Sequence, residues 1–205
     1  MRAVYVPPEF RVDEDTAWGV VRDAGAGMLV ISTPQGLESV FVPVIVSDDR
    51  RTLMSHVARA NSWWRSIAPD TEVLALFLAA STYVTPSYYP SREQNPNVVP
   101  TWNYVAAEVR GTANVHLEPE WKRNQVGDLT RHFEHGRDPE WRIEEADERY
   151  RDRQLNAIVG VEIAVASIVG KAKLSQNRSA IDRDYVRDQF ASGSLAEQNV
   201  AERMA

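Results

Sequence analysis

Cysteine is absent from the 205 residues, which removes disulfides, thiolate nucleophiles and cysteine metal sites together and fits a reducing, cytosolic setting. Long apolar runs are missing too. No stretch approaches the ~18 apolar residues that a membrane-spanning helix needs, and the N-terminal MRAVYVPPEF lacks the apolar core of a secretory signal. The expectation is a cytoplasmic protein without a membrane anchor. Positive charge is scarce: 23 Lys and Arg stand against 29 Asp and Glu, for a net charge of −6. No global basic field draws the chain to nucleic acid, so any DNA contact needs a local patch. Glycine-rich nucleotide loops are lacking as well. Gly25 and Gly27 precede a strand rather than follow one, with Val30 where a dinucleotide fingerprint needs glycine, and no lysine follows a glycine run. No nucleophile-elbow sequence accompanies the serines.

What is present is the make-up of a folded core, 43% hydrophobic with six Trp, seven Tyr and five Phe. Asp13 to Ala24 reads as a short helix, acidic at its start and stopped by Gly25. GMLVIST and LESVFVPVIV around PQG predict a hairpin over 28–46, whose second strand Pro43 keeps from pairing freely. TLMSHV is a third strand, Asn61 to Ala68 a helix, and TEVLALFLAASTYVTP one long strand or two with a bend. After the loop SYYPSREQNPN, the run VVPTWNYVAAEVRG continues into TANVHL. A helix is expected from Glu118 to about Gly136, a charged link from Arg137 to Arg153, and a half-buried strand in IVGVEIAVASIV. A last helix runs from Ser179 through Phe190, and the pattern leaves the order of the remaining tail open. Roughly six or seven strands joined by tight turns argue for an antiparallel sheet closed into a small barrel, mainly β with peripheral helices (α+β), rather than a βαβ fold. The expected organisation is one domain over 1–178, with a helical insertion at about 118–155 and a helical tail over 179–205.

Three polar constellations stand out. In LMSHVARANSWW, Ser55, His56, Arg59 and Asn61 sit where a strand passes into a helix, a place whose free backbone N–H groups and dipole suit an anion such as phosphate. The plainer reading is a surface arginine and a histidine packed against Trp63 or Trp64. In VVPTWNYVAAEVRG, Trp102 and Tyr104 share one strand face and Asn103 takes the other, an aromatic platform beside an amide; ordinary core packing is the alternative. In GKAKLSQNRS, Lys171, Lys173, Ser175, Gln176 and Asn177 make an unusually polar strand exit, against the alternative of a solvated loop. His132 and His135, three apart with Glu134 between them, lack the spacing of a zinc-protease site and read as a solvated helix face, so no metal is assigned.

In order along the chain, YVPPEF, HVARANSWW, YVTPSYY, VPTWNY and GKAKLSQN resemble the PaiB family of FMN-binding negative transcriptional regulators, and the resemblance covers nearly the whole chain. It implies a split β-barrel of the FMN-binding, pyridoxamine-phosphate-oxidase-like type, working as a homodimer with FMN at the subunit interface. It further implies that Ser55, His56, Arg59 and Asn61 lie near the FMN phosphate. Trp102, Asn103, Lys173, Ser175, Gln176 and Asn177 would lie near the ring system or the partner subunit. The sequence departs from the family pattern at Glu108, where histidine is common, and at Ala60 and Ser62, where prolines commonly flank the asparagine. A carboxylate in place of an imidazole changes any proton-transfer or anion-binding role there. The resemblance implies a flavin-linked regulator with a DNA or protein partner. An FMN-dependent oxidoreductase acting on a small molecule is the alternative, and a dimer that kept the fold and lost its cofactor is a third reading.

Overall fold

Residues 5–204 are described by a computed structural model; the first four residues of MRAVYVPPEF and the final alanine of the tail lie outside them. A proline-rich turn leads into β1 (Arg11–Val12) and α1 (Glu14–Ala24). The Asp13 carboxylate accepts the Thr16 N–H at 2.7 Å and so supplies one of the orphan donors of the first helical turn with a partner. Gly25, at φ 63°, ends α1 in the left-handed region that glycine occupies without steric cost. The chain continues through β2 (Ala26–Thr33), β3 (Gly36–Pro43), β4 (Ile45–Val46), β5 (Thr52–Ala58), β6 (Glu72–Val84) and β7 (Thr101–His116). It then forms α2 (Pro119–Glu134), α3 (Glu148–Asn156), β8 (Ile158–Lys173), α4 (Ala180–Ala191) and α5 (Leu195–Ala201).

The sheet has eight strands in the order β3-β2-β6-β7-β8-β5-β4, with β1 paired to β8. β2 and β3 form the expected hairpin, Met28 opposite Phe41. The two ends of the strand order, β3 and β4, are separated along the chain by Val44 alone, whose N–H donates to the Gly25 carbonyl at 2.8 Å. A sheet whose outermost strands are joined by one residue has to curl, and β3 does meet β5. Pro43 sits at the end of β3, where its missing N–H does not interrupt the ladder.

Contacts divide the chain into two compact units. One comprises Met1–Ala24, Phe77–Glu108 and Ile168–Ala205; the other comprises Gly25–Leu76 and Val109–Ser167. In the second, Leu29, Ile31, Leu53, Val109, Val161 and Ile163 are buried, as the alternation of their strands dictates. Gly111 is required where β7 passes β8: a Cβ there would lie 2.1 Å from the Ala164 carbonyl oxygen. On the outer face of the same unit, Met28 is opposite both Phe41 of β3 and Leu76 of β6, and all three are exposed, Phe41 by 66%. In the first unit Trp18, Val84, Val186, Phe190 and Val200 form the core. The tail is ordered there: the Ser194 and Glu197 side chains cap the start of α5, which packs on α4.

Two local expectations change. The segment predicted as a helix over 61–68 is a 3-10 turn, Ser62–Ser66, because Pro69 biases Ala68 toward extended backbone and leaves too few residues for a ladder of i→i+4 bonds. The charged link contains a true helix, α3, started by the Asp147 carboxylate accepting the Tyr150 N–H at 3.0 Å. With Leu155 its one buried residue, α3 has no apolar stripe for a periodicity to reveal. Among the described residues no helix is long and apolar enough to cross a membrane.

Candidate functional site

Strand alternation decides where the LMSHVARANSWW residues go. Ser55 points inward, 1% exposed, and its hydroxyl donates to the Pro43 carbonyl at 2.6 Å. His56 takes the opposite face of β5, where its Nδ1 lies 3.0 Å from the Gln125 amide oxygen on α2. Burial lowers the His56 pKa below its ordinary value, against a smaller raising effect of the Gln125 bond. The ring is therefore neutral at pH 7, with its proton on Nδ1 donated to Gln125. Arg59 donates from its backbone N–H to the Ala157 carbonyl, from Nε to the Asn156 carbonyl at 2.7 Å and from Nη2 to the Ile158 carbonyl at 3.5 Å. Buried Lys122 donates to the Leu155 carbonyl at 2.7 Å. Its pKa is lowered by burial first and by the Arg59 charge second. Two cations thus cap the C-terminal end of α3, where carbonyls lack helical partners and the dipole is negative. Asn61 accepts the Trp63 N–H at 3.0 Å and starts the 3-10 turn. The Trp63 indole N–H is buried without a partner among the described residues.

In the other unit, the VPTWNY and GKAKLSQN stretches are knitted to one another. Lys173 donates to the Trp102 carbonyl at 2.6 Å and to the Thr101 hydroxyl. Asn103 is fully buried; its amide oxygen accepts the Ser175 hydroxyl at 3.1 Å, and its nitrogen lies 3.7 Å from the Met204 sulfur. Ser175 adopts φ 64°, a left-handed conformation costing about 1 kcal/mol or more for a non-glycine residue, and its bond to Asn103 helps to hold it there. Gln176 folds back on its own turn, accepting the Leu174 N–H and donating to the Ala172 carbonyl, while Asn177 is exposed. Trp102 is 54% exposed and meets exposed Tyr83 edge to face, ring centroids 6.4 Å apart. Lys171 lies over the Tyr104 ring at 5.3 Å and Arg178 over Tyr89 at 4.6 Å. The Lys173 pKa is lowered by burial and then by the Lys171 and Arg178 charges. Among the described residues none of these three cations forms an ion pair with a carboxylate, although the buried Asp182 carboxylate feels the Arg178 charge.

Arg178 and Tyr83 belong to this cluster although neither was singled out from the sequence; Arg178 directly follows GKAKLSQN, and Tyr83 is the first residue of YVTPSYY. Glu108, the departure from the family pattern, is half-buried on β7. His132 packs edge-on against Phe133, His135 lies 3.6 Å from Glu140, and no group of metal-ligating side chains is found among the described residues.

A family model described as "Putative FMN-binding domain" matches residues 4–167. The chain is 30% identical over 191 residues to protease synthase and sporulation protein PAI 2 of Bacillus subtilis (strain 168), covering 91% of this chain and 89% of that one. An uncharacterised Aspergillus fumigatus protein is 33% identical over 154 residues, which span 67% of this chain and 58% of the fungal one. Among solved structures, a flavocytochrome of Azotobacter vinelandii superposes with a TM-score of 0.63 at 10% identity, covering 94% of this chain and 80% of that one. The FAD and heme binding protein of Mycobacterium smegmatis does so with 0.61 at 16% identity, covering 90% and 80%. These structures show the fold alone: the split β-barrel of flavin-binding proteins.

Capping by Arg59 has a measurable consequence. Replacing it by alanine should destabilise the flavin-free protein by about 1–3 kcal/mol in urea unfolding, the range for hydrogen bonds from a charged group. An unchanged midpoint would show that the guanidinium is not needed at the end of α3.

Proposed function

We propose, from the premise that the chain belongs to the PaiB-type family of FMN-binding domain proteins, that it works as a cytoplasmic homodimer with FMN at the subunit interface and acts as a flavin-linked negative regulator of transcription. FMN is its cofactor. The residues present fit that group. The observation that carries this reading is the cluster of Lys171, Lys173 and Arg178 beside the open Trp102–Tyr83 aromatic edge, in which neither lysine has a carboxylate pair among the described residues and Asp182 alone offsets Arg178. FMN has anionic groups that need charged donors and a planar ring that needs an apolar face. Lys173 and Arg178 would supply the first and Trp102 the second. Bound FMN supplies reversible redox chemistry, which the protein tunes through such contacts.

The homodimer is supported by the exposed row of Phe41, Met28 and Leu76 across three neighbouring strands, an apolar surface that a second copy would remove from water. The alternative, an FMN-dependent oxidoreductase, is favoured by a cavity of about 400 Å³ lined by Pro86, Arg92, Glu93, Pro96 and Val98. It lies in the SYYPSREQNPN loop and its continuation, and its size suits a small-molecule slot.

Purified protein should carry an FMN absorbance spectrum, and Lys173→Met should weaken flavin binding roughly tenfold for the loss of one charge-assisted donor; colourless protein that takes up no added FMN would refute the assignment. Phe41→Glu should convert a dimer to a monomer in sedimentation velocity, and a wild-type monomer at all concentrations would end the dimer proposal. In a gel shift at low salt the flavin-loaded dimer should retard its own promoter DNA in preference to random sequence. If it shows no preference while NADH or NADPH reduces the bound flavin, the oxidoreductase reading replaces the regulator.

A further inference from the structure

The helical segment between β7 and β8 lines a half-open cavity apart from the Lys171, Lys173 and Arg178 cluster. Its volume is about 250 Å³, and its walls include Trp141, Ile143, Tyr150 and Leu155, together with His56 and Arg151. A dry cavity of about 150 Å³ already admits benzene, so this one has room for a fused pair of rings with a small substituent. Two aromatic walls suit a planar guest. The polar groups are specific. The Arg151 Nε is buried and has no partner among the described residues, and so is the Gln125 Nε2 behind His56. Buried donors left without acceptors are costly, and a charged donor is the costliest. His56 has given its Nδ1 proton to Gln125, so its remaining nitrogen is an acceptor.

A guest that satisfies this wall offers an anionic acceptor to Arg151 and a ring N–H to His56. We infer that the cavity binds a small planar aromatic carboxylate of one or two fused rings, with the carboxylate on Arg151. The guest lies between α2 and the 141–155 segment and would tie them together.

Calorimetric titration of the flavin-loaded full chain with indole-3-carboxylate, and with neutral indole as control, tests this. One saturable site per chain with a Kd of about 0.1 mM is expected for a ligand of this size. Arg151→Met should weaken the carboxylate roughly tenfold and leave indole unchanged, as loss of one charge-assisted contact requires. Ala146→Phe, which fills the cavity from its wall, should abolish both while flavin content stays the same. If that variant does not fold, Arg151→Met decides alone. The inference is overturned by an absence of saturable binding up to roughly 5 mM, by equal affinity in Arg151→Met, or by displacement of the probe when FMN is added.

Discussion

Val44 holds the ends of the sheet together. β3 and β4 are the outermost members of an eight-stranded order, yet one residue separates them along the chain. The sheet has no choice but to curl, and once it curls the inward residues of β2, β5, β7 and β8 share one core. The same curl sets which face of β5 is inside. Ser55 becomes a buried strut to the Pro43 carbonyl, and His56 is turned outward against α2. Gly111 is part of the same constraint, because β7 and β8 approach more closely there than any side chain allows.

Positive charge, scarce in this chain, is concentrated in two kinds of place. Arg59 and Lys122 are held by backbone carbonyls at the end of α3, where a cation stabilises the helix terminus. Lys171, Lys173 and Arg178 instead lie on or beside aromatic rings, where burial and the other two charges lower the Lys173 pKa and no carboxylate forms an ion pair with either lysine among the described residues. The first pair is satisfied by the fold. The second group is left with capacity for an anion, and a flavin-binding family is where such capacity has a use.

Much of the architecture was legible because it rests on alternation and punctuation. The β2–β3 hairpin, the strand after Ile158 and the helix before Gly25 follow from residue patterns that have one good solution. α3 was not legible, since Leu155 alone is buried and charged residues surround it. The turn at Ser62 to Ser66 reads from the sequence as a longer helix because Trp64, Ile67 and Ala68 fall on one side at helical spacing, and Pro69 outweighs that pattern. The candidate site divides in the same way. Each marked stretch was visible as a polar anomaly, but Arg178 and Tyr83 join the cluster only through folding, and Asn103 proves to be wholly internal.

By itself the sequence determined the mainly β class, the family and the polar stretches, because hydrophobic alternation and ordered motifs are properties of neighbours along the chain. Tertiary structure decided what those polar residues bind. Arg59 looked free for phosphate and commits its Nε to the end of α3; Ser175 looked like a ligand contact and holds Asn103; Lys173 secures a neighbouring strand and has no carboxylate partner among the described residues. The reason is physical: a side chain's unmet hydrogen bonds and unpaired charge are known only after every backbone group near it has taken its share.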